Sequence, residues 1–408
     1  MNSELMRQLK QLAEKTIADC THTKQAAFSQ QPMDFLLPSG DEKYYAFWVR
    51  DSAMMAGSHL VKDSNLRRYL ELIATYGQNG PETRPLRHGL ELPPYVVTDH
   101  INYTGGAVFF PGTYSDTDFQ GDGIYGNLPP LDDNYYFVAM VGDYVSQTGD
   151  TTILQNEYAG VRLTDHIKKA AEGYYIDSET DLVYSPYKKF AVNWGFVDSV
   201  AMEGRLLFAS LLRWNAMQVL EKLFPGQGYA DRAEKLASQI VRVFYDEATG
   251  WFWCCDAAEK QHDVWGTAFA VYLGLLNDRQ KALTSQTLKK AYQDGVGVHG
   301  YIRHILHEED AVPGVTAWAR CTVPVDLYQN GTYWATPLGW FVYTVGLTDL
   351  DFAEQILQDF LCHTRDNMGL GTPYEWMSRD GSERSGLHYG TSGVLPYLGY
   401  LKLCGLQP

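Results

Sequence analysis

Positive charge is in short supply: 33 Lys and Arg stand against 49 Asp and Glu, a formal net charge of -16 over 408 residues. Such a balance repels phosphate backbones and anionic bilayers, so neither nucleic acid nor a membrane surface is an expected partner. No run of about 18 or more apolar residues occurs, and no segment reads as membrane-spanning. The opening stretch MNSELMRQLKQLAEKTIADC lacks the apolar run and cleavage site of a secretory signal. Its Leu5, Leu9, Leu12 and Ile17 instead mark an amphipathic first helix. The six cysteines are scattered, with Cys254 and Cys255 adjacent. A cytoplasmic location with reduced thiols is therefore expected, and the N-x-T matches at Asn102 and Asn330 carry no meaning without secretion.

What is present is helical periodicity. Apolar spacing predicts helices over 3–20, 48–60, 63–78, 131–149, 151–171, 200–222, 228–245, 263–276, 281–293, 335–346, 349–363 and 388–404. Connections after the even-numbered helices are a handful of residues. Those after the odd-numbered ones are long and rich in Gly, Pro, Tyr and Trp. Six helical hairpins follow. Asp63, Asp150, Asp278 and Asp349 each end a short connection and read as helix caps, whose carboxylates accept orphan backbone N–H groups.

Hairpins with short turns at one end and long loops at the other can close into a ring. The even-numbered helices, apolar on most sides at 131–149, 200–222 and 263–276, suit its inner layer. Residues 79–130, 294–334 and 364–387 are too aromatic for disordered loops and collect at one mouth. No linker divides the chain, so one domain over residues 1–408 is expected. Each long loop delivers its last residues to the start of an inner helix. FWVRDSAMM brings Trp48, Arg50 and Asp51; LPPLDDNYYF brings Asp132 and Asp133; NWGFVDS brings Trp194 and Asp198. HDVWG, YQNGTYW and PYEWMSRDGSERSGLHYG follow. Aromatic faces stack on sugar rings while carboxylates, Arg and amides bind hydroxyls, so the mixture fits carbohydrate. Core packing accounts equally well for Trp48, Trp194 and Trp334.

The order WxRDS, DDxxxF, WGFxDS before a helix, YxNGxxW, and PxE with a downstream aromatic-Gly segment resembles the six-hairpin glycosidases. Within them it is most similar to glucoamylase-like, glycogen-debranching-like and processing-glucosidase-like enzymes, over residues 44 to about 400. The resemblance implies an all-α, (α/α)6 toroid and an inverting, exo-acting hydrolysis of a glycoside, α rather than β. Such enzymes use one carboxyl group to protonate the leaving oxygen and another to activate water. By match to the motifs, Asp198 is the general acid and Glu375 the general base. Arg50 and Asp51 would hold sugar hydroxyls and Trp48 and Trp194 would stack, with Asp133, Asn330 and Trp334 as further members of the pocket.

Several alternatives stay open on the residues alone. Asp198 can be the N-cap of helix 200–222, and a helix N-terminus lowers a carboxyl pKa, which opposes a general acid. Glu383 can replace Glu375, and Arg50 with Asp51 can be a structural pair. GVGVHG at 295–300 matches a dinucleotide fingerprint but has no βαβ setting, so no cofactor is expected. DTDFQG at 116–121 is a poor calcium loop, with Asn127 where a bidentate Glu belongs, and no metal is assigned. His299, His304 and His307 do not form a zinc set, and His363 reads as structural. A sugar epimerase or isomerase using His262 and His388, or a non-catalytic carbohydrate-binding protein, are the competing functions.

Overall fold

The structure is a computed structural model that describes residues 2–41, 44–86, 89–104, 106–110, 128–258, 260–306, 321–368, 371–382, 384–385 and 388–408. Twelve α-helices run through the described residues: α1 Ser3–Cys20, α2 Val49–Ala56, α3 Asp63–Leu72, α4 Asp133–Thr148, α5 Leu163–Glu172 and α6 Leu207–Leu223. Then come α7 Tyr229–Phe244, α8 Val264–Leu273, α9 Asp278–Ala291, α10 Leu338–Gly346, α11 Leu350–Met368 and α12 Gly390–Leu403. The even-numbered helices pack in sequence, α2 on α4, α4 on α6, α6 on α8, α8 on α10 and α10 on α12, and α12 returns to α2. The ring closes. The odd-numbered helices lie outside it, each against the inner layer. This is the (α/α)6 toroid.

Local chemistry explains the layering. In α7 the buried residues Ala233, Leu236, Ile240 and Phe244 follow a single helical stripe, as an outer helix requires. In α6 burial runs almost without a break from Leu207 to Trp214, as suits a helix covered on most sides. The main chains of α10 and α12 come close together at two glycines. A methyl group on Gly339 would run into the main chain at Leu395, and one on Gly399 into the main chain of Gly339.

One of the four expected aspartate caps is a helix cap. Asp349 Oδ1 accepts from the N–H of Phe352 at 3.0 Å at the start of α11, whereas Asp150 Oδ1 accepts from Thr152 at 3.0 Å in a local turn, one residue before Thr151, which holds the cap position of the 3-10 turn. Asp278 is instead the first residue of α9, whose cap is Asn277 in a reciprocal pair with Gln280. Asp63 likewise opens α3 and accepts a hydrogen bond from Gln147 Nε2. Where two cap-competent residues adjoin, as at Asn277–Asp278, the partner three residues on decides which one caps.

Two expected helices are broken. Residues 151–171 hold a 3-10 turn, Thr152–Gln155, and a small hairpin turning at Ala159 and Gly160, both at positive φ, before α5 starts. Residues 200–222 begin as a strand, Ala201–Arg205, paired antiparallel with Tyr184–Phe190, and α6 starts only at Leu207. Short antiparallel sheets also organise the mouth. One joins Phe47–Trp48, His100–Ile101 and Ala107–Val108; another joins Gly297–Val298, Tyr301–Arg303, Tyr333–Trp334 and Trp376–Met377. Their registers set Trp48 opposite His100 and Trp334 opposite Trp376. No described helix is long and apolar enough to cross a membrane.

Replacing Gly339 or Gly399 by Ala wedges α10 from α12, at a cost of about 1–3 kcal/mol for overpacking a tight contact. Urea denaturation should show a lower midpoint for each variant. An unchanged midpoint would mean that the two main chains do not touch.

Candidate active site

At the mouth lies a cavity of about 340 Å³, lined by residues from the loops before α2, α6, α10 and α12 and from the loop between α3 and α4. Asp198 and Glu375, far apart in the chain, both line it. A volume of this order matches ordinary small-ligand pockets.

Asp198 owes its position to the turn before it. Gly195 adopts a φ of +63°, the N–H of Val197 donates to the carbonyl of Trp194 at 3.1 Å, and Phe196 is laid flat on Trp265 at 4.5 Å. The chain then passes the rim of the cavity at Asp198 and enters the strand Ala201–Arg205. Asp198 therefore caps no helix, because α6 opens at Leu207, and its carboxyl escapes the dipole that would lower its pKa. Burial pushes that carboxyl up to about 7, the negative charge of Asp99 adds to the effect, and Arg50 opposes it. Its Oδ1 is buried with no hydrogen-bond partner among the described residues.

Glu375 is treated differently. Buried in the loop before α12, it accepts a hydrogen bond at 2.6 Å from the hydroxyl of Tyr44. The Tyr44 ring meets Trp48 and Tyr389 edge-on, and the Tyr389 hydroxyl donates at 2.5 Å to Asp51 Oδ1. Burial pushes the Asp51 carboxyl up to about 6, against the pull of Tyr389 and Arg50. Two tyrosines thus brace two acids on one side of the cavity.

Arg50 is spent on carboxylates. Its guanidinium grips Asp132 with two hydrogen bonds, Nε to Oδ2 at 2.6 Å and Nη2 to Oδ1 at 2.9 Å, and Nη2 reaches Asp133 Oδ2 at 2.9 Å. Asp99 Oδ1 stands 3.4 Å from Nη1. The alternative of an Arg50–Asp51 pair is not met among the described residues, because the fork faces Asp132, Asp133 and Asp99. Burial raises Asp133 well above the usual carboxylate range. Asp99 behaves oppositely: burial is outweighed by His100 and Arg50, and its carboxyl lies below the usual range. Asp99 Oδ2 sits 2.8 Å from His100 Nδ1, and the His100 ring stacks on Trp48 at 4.4 Å.

Of the residues expected in the pocket, Trp48, Arg50, Asp51, Asp198, Trp334 and Glu375 line it. Three do not. Trp194 is buried on the far side of its turn, packed against His304 at 4.5 Å. Asp133 lies behind Arg50, and the Asn330 amide is turned inward to donate to the Val323 carbonyl at 2.6 Å. The cavity adds Tyr44, Asp99, His100, Gln329, Trp376 and Tyr389. Trp376 and Tyr389 belong to the PYEW–LHYG stretch already marked by its aromatics. Asp99, His100 and Gln329 sit inside loops, away from the helix starts on which periodicity directs attention. His262 stacks on Trp253 at 3.9 Å and His388 is exposed beside Tyr374, so neither lines the cavity. Glu383, His307 and the Asp116–Asp118 loop lie outside the described residues.

No family model and no curated protein matches the sequence. Solved structures do match in fold. A rhamnosidase from Klebsiella oxytoca with rhamnose bound superposes with a TM-score of 0.60 at 14% identity, over 100% of this chain and 65% of its own length. This chain therefore spans about two thirds of that protein. Cellobiose 2-epimerase from Spirochaeta thermophila gives 0.57 at 8% identity, covering 99% of this chain and 98% of that one. Glucoamylase from Saccharomycopsis fibuligera gives 0.56 at 12% identity, covering 99% and 95%. The chain has the six-hairpin toroid fold that these proteins share.

Arg50→Ala leaves Asp99, Asp132 and Asp133 buried without their cation, a loss of about 3–5 kcal/mol. Removing the guanidinium lifts the folded-state pKa of Asp99 from below its unfolded value and drives those of Asp132 and Asp133, already raised by burial, higher still. The added instability is then full above those folded values and is relieved as falling pH protonates the acids. Thermal denaturation should show a larger gap from wild type at pH 8 than at pH 5; a gap independent of pH would contradict this account.

Proposed function

We propose that the protein is a glycoside hydrolase that cleaves a terminal sugar with inversion, α-glycosides being the preferred class, with Asp198 as general acid and Glu375 as general base. The observation that carries the reading is the unequal environment of two carboxyl groups lining one sugar-sized cavity. Asp198, with burial holding its pKa near 7 and no hydrogen bond on Oδ1, keeps a proton to give at neutral pH. Glu375, taking a hydrogen bond from Tyr44, is presented as an acceptor. The fold shared with glycosidases supports the same class.

The chemistry follows in one step. Asp198 transfers its proton to the glycosidic oxygen as the bond to the anomeric carbon lengthens. A water on the opposite face of the ring loses a proton to Glu375 and attacks that carbon, which inverts its configuration. Trp48 and Trp334 present apolar faces to the sugar, while Asp51 and Asp99 accept from its hydroxyls. Arg50 serves this pocket by setting the charge of Asp99 and by holding the two loops together. A cavity of about 340 Å³ admits one sugar unit, in keeping with removal of a terminal residue.

A second reading rests on His100, the one histidine lining the cavity among the described residues, and on the epimerase that shares the fold. His100, backed by Asp99, would exchange a proton at a sugar carbon in place of hydrolysis. Incubation with free sugars in heavy water separates the two: deuterium entering a ring carbon, without hydrolysis of any glycoside, would favour the isomerase.

Asp198→Asn and Glu375→Gln should each lower kcat by at least about a hundredfold. Proton NMR of the first-formed sugar should show the anomer opposite to the substrate's, and a retained configuration would reject the mechanism. Because Asp198 must hold its proton to act, kcat/KM should fall as pH rises through about 7.

A further inference from the structure

We propose that Gln329 is the positioning residue of the general acid, a clasp that aims the Asp198 side chain and occupies the backbone donors beside it. The inference rests on the hydrolase reading above. Gln329 is 4% exposed and lies in the loop before α10. Its Oε1 accepts from the N–H of Asp198 at 3.1 Å and of Ser199 at 3.0 Å, and its Nε2 donates to the carbonyl of Phe196 at 3.3 Å. Only this orientation of the amide satisfies all three groups, since the flipped one would set NH2 against two N–H donors.

The clasp answers a problem that the fold creates. Asp198 stands in irregular chain between the Trp194–Val197 turn and the strand Ala201–Arg205, so no ladder or helix takes up the N–H groups of residues 198 and 199. Left unpaired, these buried N–H groups would cost free energy and let the chain at Asp198 shift, taking its carboxyl out of line with the glycosidic oxygen. Gln329 pairs both of them, and the pull of its amide and of the Asp198 N–H on the carboxyl is smaller than the push of burial.

Gln329 is itself held. A turn closes over Leu327–Asn330, with the N–H of Asn330 on the Leu327 carbonyl at 3.0 Å and that of Asp326 on the Asn330 carbonyl at 2.7 Å. Tyr328 takes a φ of +51°, a conformation that costs a tyrosine free energy and that the surroundings must enforce. The Asn330 amide ties the same loop to Val323, and the N–H of Thr322 donates to the Ser199 carbonyl at 2.8 Å. Asn330 thus contributes behind the site instead of in it. Among the described residues, the charged and titratable groups around Asp198 include Asp99 and Arg50 on the α2–α4 side, the Cys321 thiol beside Ser199, and Glu375, Asp51 and His100 on the cavity wall.

The test compares Gln329→Ala and Gln329→Glu with Asp198→Asn on two glycosides of the sugar that the wild type releases fastest, one methyl and one 2,4-dinitrophenyl. The dinitrophenolate leaves without a proton, so only the methyl glycoside needs the acid. Gln329→Ala should lose about tenfold or more in kcat on the methyl glycoside and under about threefold on the activated one, with KM little changed. Its alkaline limb should move to higher pH, because the amide that lowers the Asp198 pKa is gone. Gln329→Glu keeps an acceptor for the two N–H groups but adds a negative charge, so its limb should move to higher pH. A loss confined to the methyl glycoside cannot come from loosened folding, which thermal unfolding of both variants monitors. Equal losses on both glycosides with unmoved pH profiles, or wild-type behaviour in both variants, would overturn the clasp. If Asp198→Asn loses activity only on the methyl glycoside, that failure leaves the hydrolase reading standing. Should Asp198→Asn keep its rate on the methyl glycoside, the acid assignment and the clasp fall together.

Discussion

One guanidinium governs the mouth of this ring. Arg50, at the start of α2, carries hydrogen bonds to Asp132 and Asp133 at the start of α4 and faces Asp99 in the loop between α3 and α4. Three buried carboxylates this close together would repel one another strongly in a poorly polarisable interior. With Arg50 among them they become a hinge point that fixes two inner helices and a long loop to one another. Asp99, thereby kept ionised, orients His100 against Trp48 and raises the neighbouring Asp198. The electrostatics of the cavity therefore begin one layer behind its walls.

The ring supplies the other constraint. Six inner helices all start at the mouth, so their preceding loops must converge, and residues scattered from Tyr44 to Tyr389 become neighbours. Closure depends on α10 and α12 meeting at Gly339 and Gly399, where a side chain would hold them apart. Sheets of two to four short strands then set the loops in register, which is how Trp334 comes opposite Trp376 and Trp48 opposite His100. Backbone hydrogen bonding in the loops, and not helix packing, places the aromatic walls.

Helical periodicity reached the architecture because a stripe every 3.6 residues is a local property, visible in Leu5, Leu9 and Leu12 or in Leu236 and Ile240. It failed where a strand and a helix share one apolar stretch. VAMEGRLLFASLL reads as continuous helix, yet Ala201–Arg205 pairs with Tyr184–Phe190, a partner some fifteen residues upstream that periodicity cannot see. That misreading placed Asp198 at a helix entrance and raised a conflict between capping and acid catalysis. Three-dimensional pairing removes the conflict by starting α6 at Leu207. Trp194 and Asn330 were legible as parts of motifs but not as to which way they face: one turns to His304, the other to Val323.

Composition, apolar spacing and motif order were enough to determine twelve helices in six hairpins, a mouth rich in acids and aromatics, and the two carboxyl groups most worth attention. Each of these depends on neighbours along the chain. Which carboxyl burial pushes up, which acids surround Arg50, and which amide holds the chain at Asp198 were decided by tertiary structure alone. Burial and pairing between distant segments have no trace in a local pattern, and those are the quantities that set a pKa and aim a side chain.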